Sequence, residues 1–567
     1  DGKCPPWTLQ SKKIKHDLAK KTIYYDDVVL KVYDFPIFYS PKLSHPDPTV
    51  KRSSGFLAPS LSNSTTLGSG IGMPYFWNIA MDRDLTFAPK LYLNENPLLL
   101  AEYRQDFANS FLIVDAGYTQ GYKKKNNKKT DGGRAHFFSN FSMNFFNEAE
   151  KKSSLEINIE KVSNDTYFKV YDINSSLVKK DKITLENKLD YIYQNKDLYF
   201  GITPSVYEDT AKIGHLRHEY LLPLSLEKKI MSSQKFGTLD IGSDLRFRNH
   251  EINKQINLFV NNFNWRSNKW LNSLGIENYF EGLVKTVNYE AKNTDEYKND
   301  DKNTEVNSAL GYFAKLRLYK EDVINKNFYS LTPQFLLRYA PGNMRNIDSG
   351  RLSYANLFNL NKINELDVVE PGLSSSVGFE YKKNKLNKLN VIADEVFSLS
   401  VGQVISEQEN MDIPSSTSLD QNFSDVVGKA KYNINNRLSL DYNFSIDQGY
   451  KNFNYNDIGL DVEVNKAKFN LSYLQEKNHI GDQEHVQTGI DFRFNNSSEV
   501  SFNARRNLLT SSAEFYNLSY NYINDCLKAG VAYRREFYTD RDVEPANTLM
   551  FTISIVPFAE INSPGLS

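Results

Sequence analysis

Two histidines three residues apart, His215 and His218 in the stretch HLRHEY, come nearest to a metal-binding pair in this chain. A metal site needs further His, Cys or carboxylate ligands at suitable spacing. None accompanies them, so they read as wet surface residues. The acidic run NTDEYKNDDKN, Asn293–Asn303, could offer oxygens to a divalent cation but reads as a solvated loop. No G-x-S-x-G, no P-loop and no G-x-G-x-x-G after a strand is present. The expectation is a chain that is not an enzyme and needs no cofactor or metal. The chemically pointed residues are of another kind. There are only two cysteines, Cys4 and Cys526, an even count that permits one bridge in an oxidising compartment. There are also three prolines at regular intervals, Pro59, Pro74 and Pro89, in a stretch that otherwise reads as strands. Proline has no backbone N–H and damages a sheet ladder, so three in neighbouring strands require a reason.

The elements that position these residues are strands. In LSLDYNFSID, Leu438, Leu440, Tyr442, Phe444 and Ile446 alternate with Ser439, Asp441, Asn443, Ser445 and Asp447. Period two over ten residues is a strand with one apolar and one wet face. The pattern returns at Ile490–Phe494, at Val500–Ala504, at Tyr516–Tyr522 and at Leu549–Ile555. Long capped helical periodicities are missing, which excludes a helical repeat or a βαβ enzyme. Net charge is −1 in 567 residues, too little basic excess for a nucleic-acid binder. The lysines Lys123–Lys125 and Lys128–Lys129 sit among Asn, Asp and Gly and read as a solvated loop. Mean hydropathy is −0.54, and no run of about 18 apolar residues marks a membrane helix. The chain begins at Asp1, without Met or a leader, and reads as a processed or trimmed piece.

The strands are long, near the ~9–11 residues with which a tilted strand crosses a bilayer, whereas soluble strands centre on ~5–6. Connections differ too: Asn496–Ser498 is tight, while YTDRDVEPANT, Tyr538–Thr548, is long and charged. Outer-membrane barrels have short turns at one rim and long loops at the other. The fold class expected is all-β, a very large transmembrane antiparallel β-barrel. From residue 51 onward, at ~10 residues per strand and as many per connection, about 26 strands result.

From the N-terminus the chain reads CPPWTL, FPIFYSP (Phe35–Pro41), KRSSGFLAP (Lys51–Pro59), MPYFWNIAMDRDLTFAP (Met73–Pro89) and EYR (Glu102–Arg104). In that order and spacing it resembles the LptD family of lipopolysaccharide-assembly outer-membrane proteins. The resemblance implies residues 1–50 as the end of a periplasmic β-jelly roll and its linker. It implies residues 51–567 as the barrel, in the outer membrane with the N-terminus periplasmic. It implies a translocon that inserts lipopolysaccharide into the outer leaflet through a lateral gate between first and last strands, with Pro59 and Pro74 as gate prolines. Pro89 reads as a strand-end proline. The expected partners are lipopolysaccharide, the plug lipoprotein LptE and the periplasmic bridge protein LptA; no nucleic acid is expected. Counting strands back from the end puts Cys526 at the periplasmic rim with Cys4, so a Cys4–Cys526 disulfide is expected, with two unpaired thiols as the alternative. The chain departs from the family in Leu527, where a second cysteine is usual, and in NLFNLNKINELDVVEPG, Asn356–Gly372, which lacks the family's arginines. A passive porin or substrate-specific channel, and an adhesin-type barrel, are the rival readings.

Overall fold

The computed structural model describes residues 7–555, apart from positions 33, 48, 51, 58, 122–131, 300, 348–349, 390, 435–436, 524–526, 538–542 and 544. Cys4, Cys526, the Lys123–Lys129 loop and most of the charged connection after Tyr538 therefore lie outside the described residues.

Alternating apolar residues produce strands almost throughout. Trp7–Asp17, Thr22–Val32 and Phe35–Pro46 form a separate three-stranded antiparallel sheet. The remaining strands form one sheet of 32 ladder segments that closes on itself, because Arg83–Phe87 pairs with Leu99–Asp106 and Ala546–Ile555 pairs with Ser60–Ser64. Six crossings are each broken into two segments, so the 32 segments amount to 26 passes around the ring. All ladder neighbours in the ring are antiparallel; the expected all-β, very large barrel is what the chain forms.

Register shows which face meets the surroundings. Directly opposed residues share a face, and the row Ile490, Phe502, Leu518, Tyr533, Leu549 runs across five successive strands. Ile490, Phe502, Leu518 and Tyr533 are 36–48% exposed, as are many outward aromatics and leucines around the ring. A continuous exposed apolar belt on a closed sheet is the surface a bilayer requires, since closure leaves no unpaired edge in lipid.

The rims differ. Connections 81–82, 148–150, 196–197, 234–236, 465–466 and 496–497 hold two or three residues. The opposite rim carries 163–183, 341–371 and 407–425. At this rim Trp270–Leu271 continues the crossing Lys254–Arg266 along Ile276–Lys292 past a break at 267–269, leaving a four-residue turn, 272–275. The three long connections pack against the inner face of the wall. Met344, Leu352, Leu357 and Leu419 from two of them form one buried cluster with the wall residues Val404 and Val427.

Candidate functional site

The first three passes of the ring are each broken at a proline. Pro59 separates Gly55–Phe56 from Ser60–Ser64, Pro74 separates Gly68–Gly72 from Tyr75–Ala80, and Pro89 separates Arg83–Phe87 from Lys90–Tyr92. The breaks stand side by side. Leu57 N–H donates to the Pro74 carbonyl at 2.8 Å and Met73 N–H to the Pro89 carbonyl at 3.1 Å. Each of these two prolines keeps its acceptor in the ladder while lacking a donor. Pro89 thus ends one segment and also belongs to this row.

The seam between first and last passes is short. Five residue pairs join them, from Thr548 opposite Ser64 to Thr552 opposite Ser60. Thr65 N–H adds one bond to the Asn547 carbonyl at 3.1 Å. On its other edge the last strand, Ala546–Ile555, makes ten pairs with Leu527–Glu536. In an antiparallel ladder every second residue faces the same neighbour. Counting from Thr65, the residues that face the last strand are Asn63, Leu61 and then Pro59, which would meet Ile553. A proline cannot donate there, and the registered pairs stop at Ser60. At about 1 kcal/mol net per bond, five pairs and the Thr65 bond against ten pairs leave the described part of the seam about 4 kcal/mol weaker than the adjoining ladder.

Small residues line both sides of the first hairpin. A Cβ added at Gly72 would lie 2.5 Å from Ser60 Oγ, and one at Gly70 would lie 2.7 Å from the Tyr92 ring. Behind the seam is a cavity of about 270 Å³, lined by Ser62, Pro74, Pro89, Lys90, Tyr171 and Met550 among others.

The connection 163–183 closes this cavity from the lumen. Its short helix Tyr167–Val170 and the residues after it bury Tyr167, Phe168, Tyr171, Ile173 and Val178. They pack with Leu67 and Leu98 from one side of the seam and with Val543 from the other. The lid therefore spans the joint. Polar contacts hold it in the same way. Lys180 Nζ pairs with Asp172 Oδ1 at 2.6 Å within the lid and reaches Glu536 Oε1 on the penultimate strand at 3.4 Å. Arg534 Nε meets the same carboxylate at 2.7 Å. On the other side Lys90 Nζ donates to the Asp172 carbonyl at 3.4 Å, and Ser176 Oγ donates to Glu102 at 2.6 Å. Burial pushes the Asp172 carboxyl up, but Lys180, then Lys90 and Arg534, outweigh it and hold the group below the usual carboxylate range. Burial pushes the Tyr171 phenol up to about 12. Beneath the lid, His136 Nε2 lies 2.7 Å from Asp115 Oδ1, and both groups are buried.

A second lid, 341–371, contains the segment that lacks arginines. It carries Lys362 and Arg345 of its own, and further cations come from the wall. The Glu370 carboxylate accepts from Lys362 N–H at 3.0 Å, and Lys362 Nζ and Arg338 Nε lie 3.5 and 3.6 Å from it. Arg338 stands on the preceding strand and also donates to the Leu360 carbonyl at 2.5 Å. Lys285, on a distant strand, donates to the Leu366 carbonyl at 2.6 Å. Burial pulls the Lys362 ammonium down to about 8. Arg345 pairs with Asp367 at 2.6 Å, and Tyr297, from the acidic run Asn293–Asn303, donates to the same carboxylate at 2.5 Å. That run is a rim connection tied to the lid. Sequence reading missed Lys180, Arg338, Lys285 and Glu370, because their partners lie up to hundreds of residues away and no local motif marks them.

Of the other candidates, His215 sits in the 3₁₀ turn Gly214–Leu216, and His218 opens the next strand with its ring stacked on Tyr220. The two are not brought together with further ligands; no group of three or more His, Cys, Asp or Glu side chains suited to a metal occurs among the described residues.

A closed 26-pass antiparallel ring with an outward apolar belt, a five-pair joint between its first and last passes, a cavity behind that joint and a lid across it defines a very large membrane β-barrel. Comparison with known proteins gives the family: residues 134–511, more than half of the chain, match the model of LptD, LPS transport system D, and the chain belongs to that family. Among similar proteins, the LPS-assembly protein LptD of Legionella pneumophila (strain Paris) is 26% identical over 198 residues, 33% of this chain and 23% of that protein. The LPS-assembly protein LptD of Shewanella oneidensis is 40% identical over 105 residues, 18% of this chain and 14% of that protein. That of Shewanella sp. (strain MR-4) is 25% identical over 252 residues, 43% of this chain and 31% of that protein. The matched stretches thus span under a third of these relatives' length. Solved barrels such as the FrpB iron transporter from Neisseria meningitidis cover 89% of this chain and 81% of their own at 7% identity and a TM-score of 0.34, too distant to bear on the site.

Proposed function

We propose that this chain is the membrane-spanning part of a machine that inserts lipopolysaccharide into the outer leaflet of the outer membrane, releasing the lipid sideways through the seam between first and last strands. The observation that carries this reading is the seam of five pairs beside a ladder of ten, ending where Pro59 removes the next donor. A lipid must pass its acyl chains into the bilayer and its sugars through a polar lumen, so a barrel wall has to part somewhere. Rupture occurs where the fewest ladder bonds must break. In this reading Pro59 and Pro74 are gate residues, and the cavity behind the seam receives the lipid's apolar part.

The short-turn rim then faces the periplasm, as does the sheet Trp7–Pro46, taken as the end of a jelly roll that delivers the lipid from the bridge protein LptA. The lumen takes the plug lipoprotein LptE. A Cys4–Cys526 disulfide would hold the delivery sheet beneath the gate; free-thiol labelling of both cysteines in the native protein would refute it. The family relationship and the names of the curated relatives support lipopolysaccharide as the cargo. The lids over the inner face weigh against a passive porin, which needs an open lumen.

The test is a removable lock. Ser62 and Met550 are directly opposed across the seam, at a separation that a disulfide can bridge. Ser62→Cys with Met550→Cys, oxidised, is expected to abolish surface lipopolysaccharide and leave it in the periplasm, with recovery on reduction. A fully formed crosslink with normal surface lipopolysaccharide would refute release through this joint.

A further inference from the structure

The wall carries a second irregularity, far along the ring from the seam and facing outward. Ile157, Leu189, Pro204, Val206, Leu222 and Phe247 line a groove of about 740 Å³, a size within the range of ligand sites, roughly 300–1,000 Å³. Two sequence features create it. Pro204 breaks the pass Leu198–Asp209 in two. The ladder between Lys151–Val162 and Thr184–Asn195 stops at Asn158 opposite Lys188, and beyond it side chains take over: the Asn187 amide bonds to the Glu160 backbone at 2.9 and 3.1 Å, and Glu186 N–H donates to the Glu160 carboxylate at 2.8 Å.

Register settles which face this is. Ile256 and Leu258 point to the lumen, where their buried cluster packs against Leu366 of the second lid. Asn257, between them, points outward. It is opposite Phe247, Phe247 is opposite Leu222, Tyr220 is opposite Val206, Val206 is opposite Asn187, and Leu189 is opposite Ile157. Lys188 and Arg248, which also border the groove, fall on the lumen row, and Arg248 is bonded to Glu219 at 2.7 Å. Leu189, Tyr220, Leu222 and Phe247 are 37–53% exposed, so none of the described residues covers them fully. Towards the long-connection rim the outward row turns polar with three carboxamides, Asn249, Gln255 and Asn257. Glu290, opposite Asn257 on the next strand, sets a carboxylate beside them.

We propose that this groove is a binding site for one outer-leaflet glycolipid, separate from the cargo path, with an acyl chain in the apolar part and sugar hydroxyls and amides on the carboxamide row. The proposal rests on the reading that the barrel stands in the outer membrane. Its chemistry follows from the surroundings. An apolar depression facing hydrocarbon is filled by an acyl chain, since neither a void nor water is stable there. Carboxamides donate to and accept from sugar hydroxyls and amides, and on the same face Lys292, opposite Gln255, and Lys302, opposite Glu290, set two ammonium groups that attract a headgroup phosphate. A phosphorylated sugar-headed lipid uses both the carboxamides and the lysines, whereas a simple phospholipid uses only the lysines.

The experiment is native mass spectrometry of the full chain released from detergent, titrated separately with lipid A and with phosphatidylglycerol. One lipid A adduct is expected that Val206→Trp weakens about tenfold by filling the groove; Leu222→Trp serves if that variant does not assemble. Asn249→Leu with Asn257→Leu is expected to remove the preference for lipid A while keeping an adduct. Equal adducts on wild type and both tryptophan variants would overturn the site. Equal binding of phosphatidylglycerol to wild type would overturn the glycolipid assignment. An adduct lost in the oxidised Ser62→Cys/Met550→Cys protein but untouched by Val206→Trp would place the lipid at the seam, refuting this site while leaving the transport reading intact.

Discussion

Two passes of the ring are broken by proline in the same way, with opposite consequences. Pro204 interrupts Leu198–Asp209, yet that pass makes nine pairs with the strand before it and nine with the strand after it. Leu189 N–H donates to the Pro204 carbonyl at 3.0 Å and Thr203 N–H to the Pro223 carbonyl at 3.1 Å, so the ladder passes over the gap. Pro59 interrupts the first pass, and among the described residues no pair with the last strand follows beyond it. A missing donor therefore does not make a weak joint by itself. It does so where the register ends at the proline, where small residues pack the adjoining hairpin and where a lid takes over the closure from inside.

The largest effect expected from this contrast comes from crosslinks. Cysteines at Phe200 and Leu226, directly opposed beside Pro204, are expected to leave lipopolysaccharide export unchanged when oxidised, while the Ser62/Met550 lock stops it. Equal loss in both would mean that the whole wall must flex and would break the comparison. Next comes the lid. Lys180→Met removes the ammonium that joins the half-exposed Asp172 carboxylate to Glu536, which keeps Arg534, a loss of about 1.5 kcal/mol. Cleavage of 163–183 by added protease should rise at least tenfold, with no change at the Pro204 crossing. A smaller effect is expected from the prolines. Pro59→Ala restores one donor, worth about 1 kcal/mol, and should slow amide exchange at Leu61 and Asn63, whereas Pro204→Ala should leave exchange on Leu198–Asp209 within twofold. The smallest concerns pH. The folded Asp172 carboxyl sits below its unfolded value of about 3.9, so its stabilisation is present above that pH and is lost as pH falls through the folded value. Proteolysis by an acid-active protease should open the lid on going from pH 5 to 3, with Asp172→Asn abolishing the step.

The barrel was legible because its evidence is local. Leu438–Ile446 declares its face residue by residue and forms a strand over those positions, and tight turns such as 496–497 mark the rim. The ladder damage at Pro59, Pro74 and Pro89 was legible for the same reason, since a missing N–H is written in one letter, whereas the break at Pro204 was not legible beside Pro223 and Pro333, which sit inside unbroken strands. The remainder of the site was not. That the seam has five pairs depends on which residue of Ala546–Ile555 meets Ser60, a register set by ring closure across nearly the whole chain. Lys180 bonds to Glu536, and Arg338 adds a second cation to the one that Lys362 already sets beside Glu370. No window of sequence contains both ends of the Lys180 contact.

The five-residue ladder at the joint has one more implication. At about 3.4 Å per residue it stands about 17 Å tall, well short of the ~25 Å apolar band that a membrane barrel presents. The two passes that flank it, Gly55–Ser64 and Ala546–Ile555, each run ten residues, so the wall is of full height but its strands stand side by side without registered pairs, among the described residues, over the part beyond Ser60. In that strip backbone N–H and C=O groups lack a ladder partner within the apolar band, and water or a lipid headgroup is drawn to them.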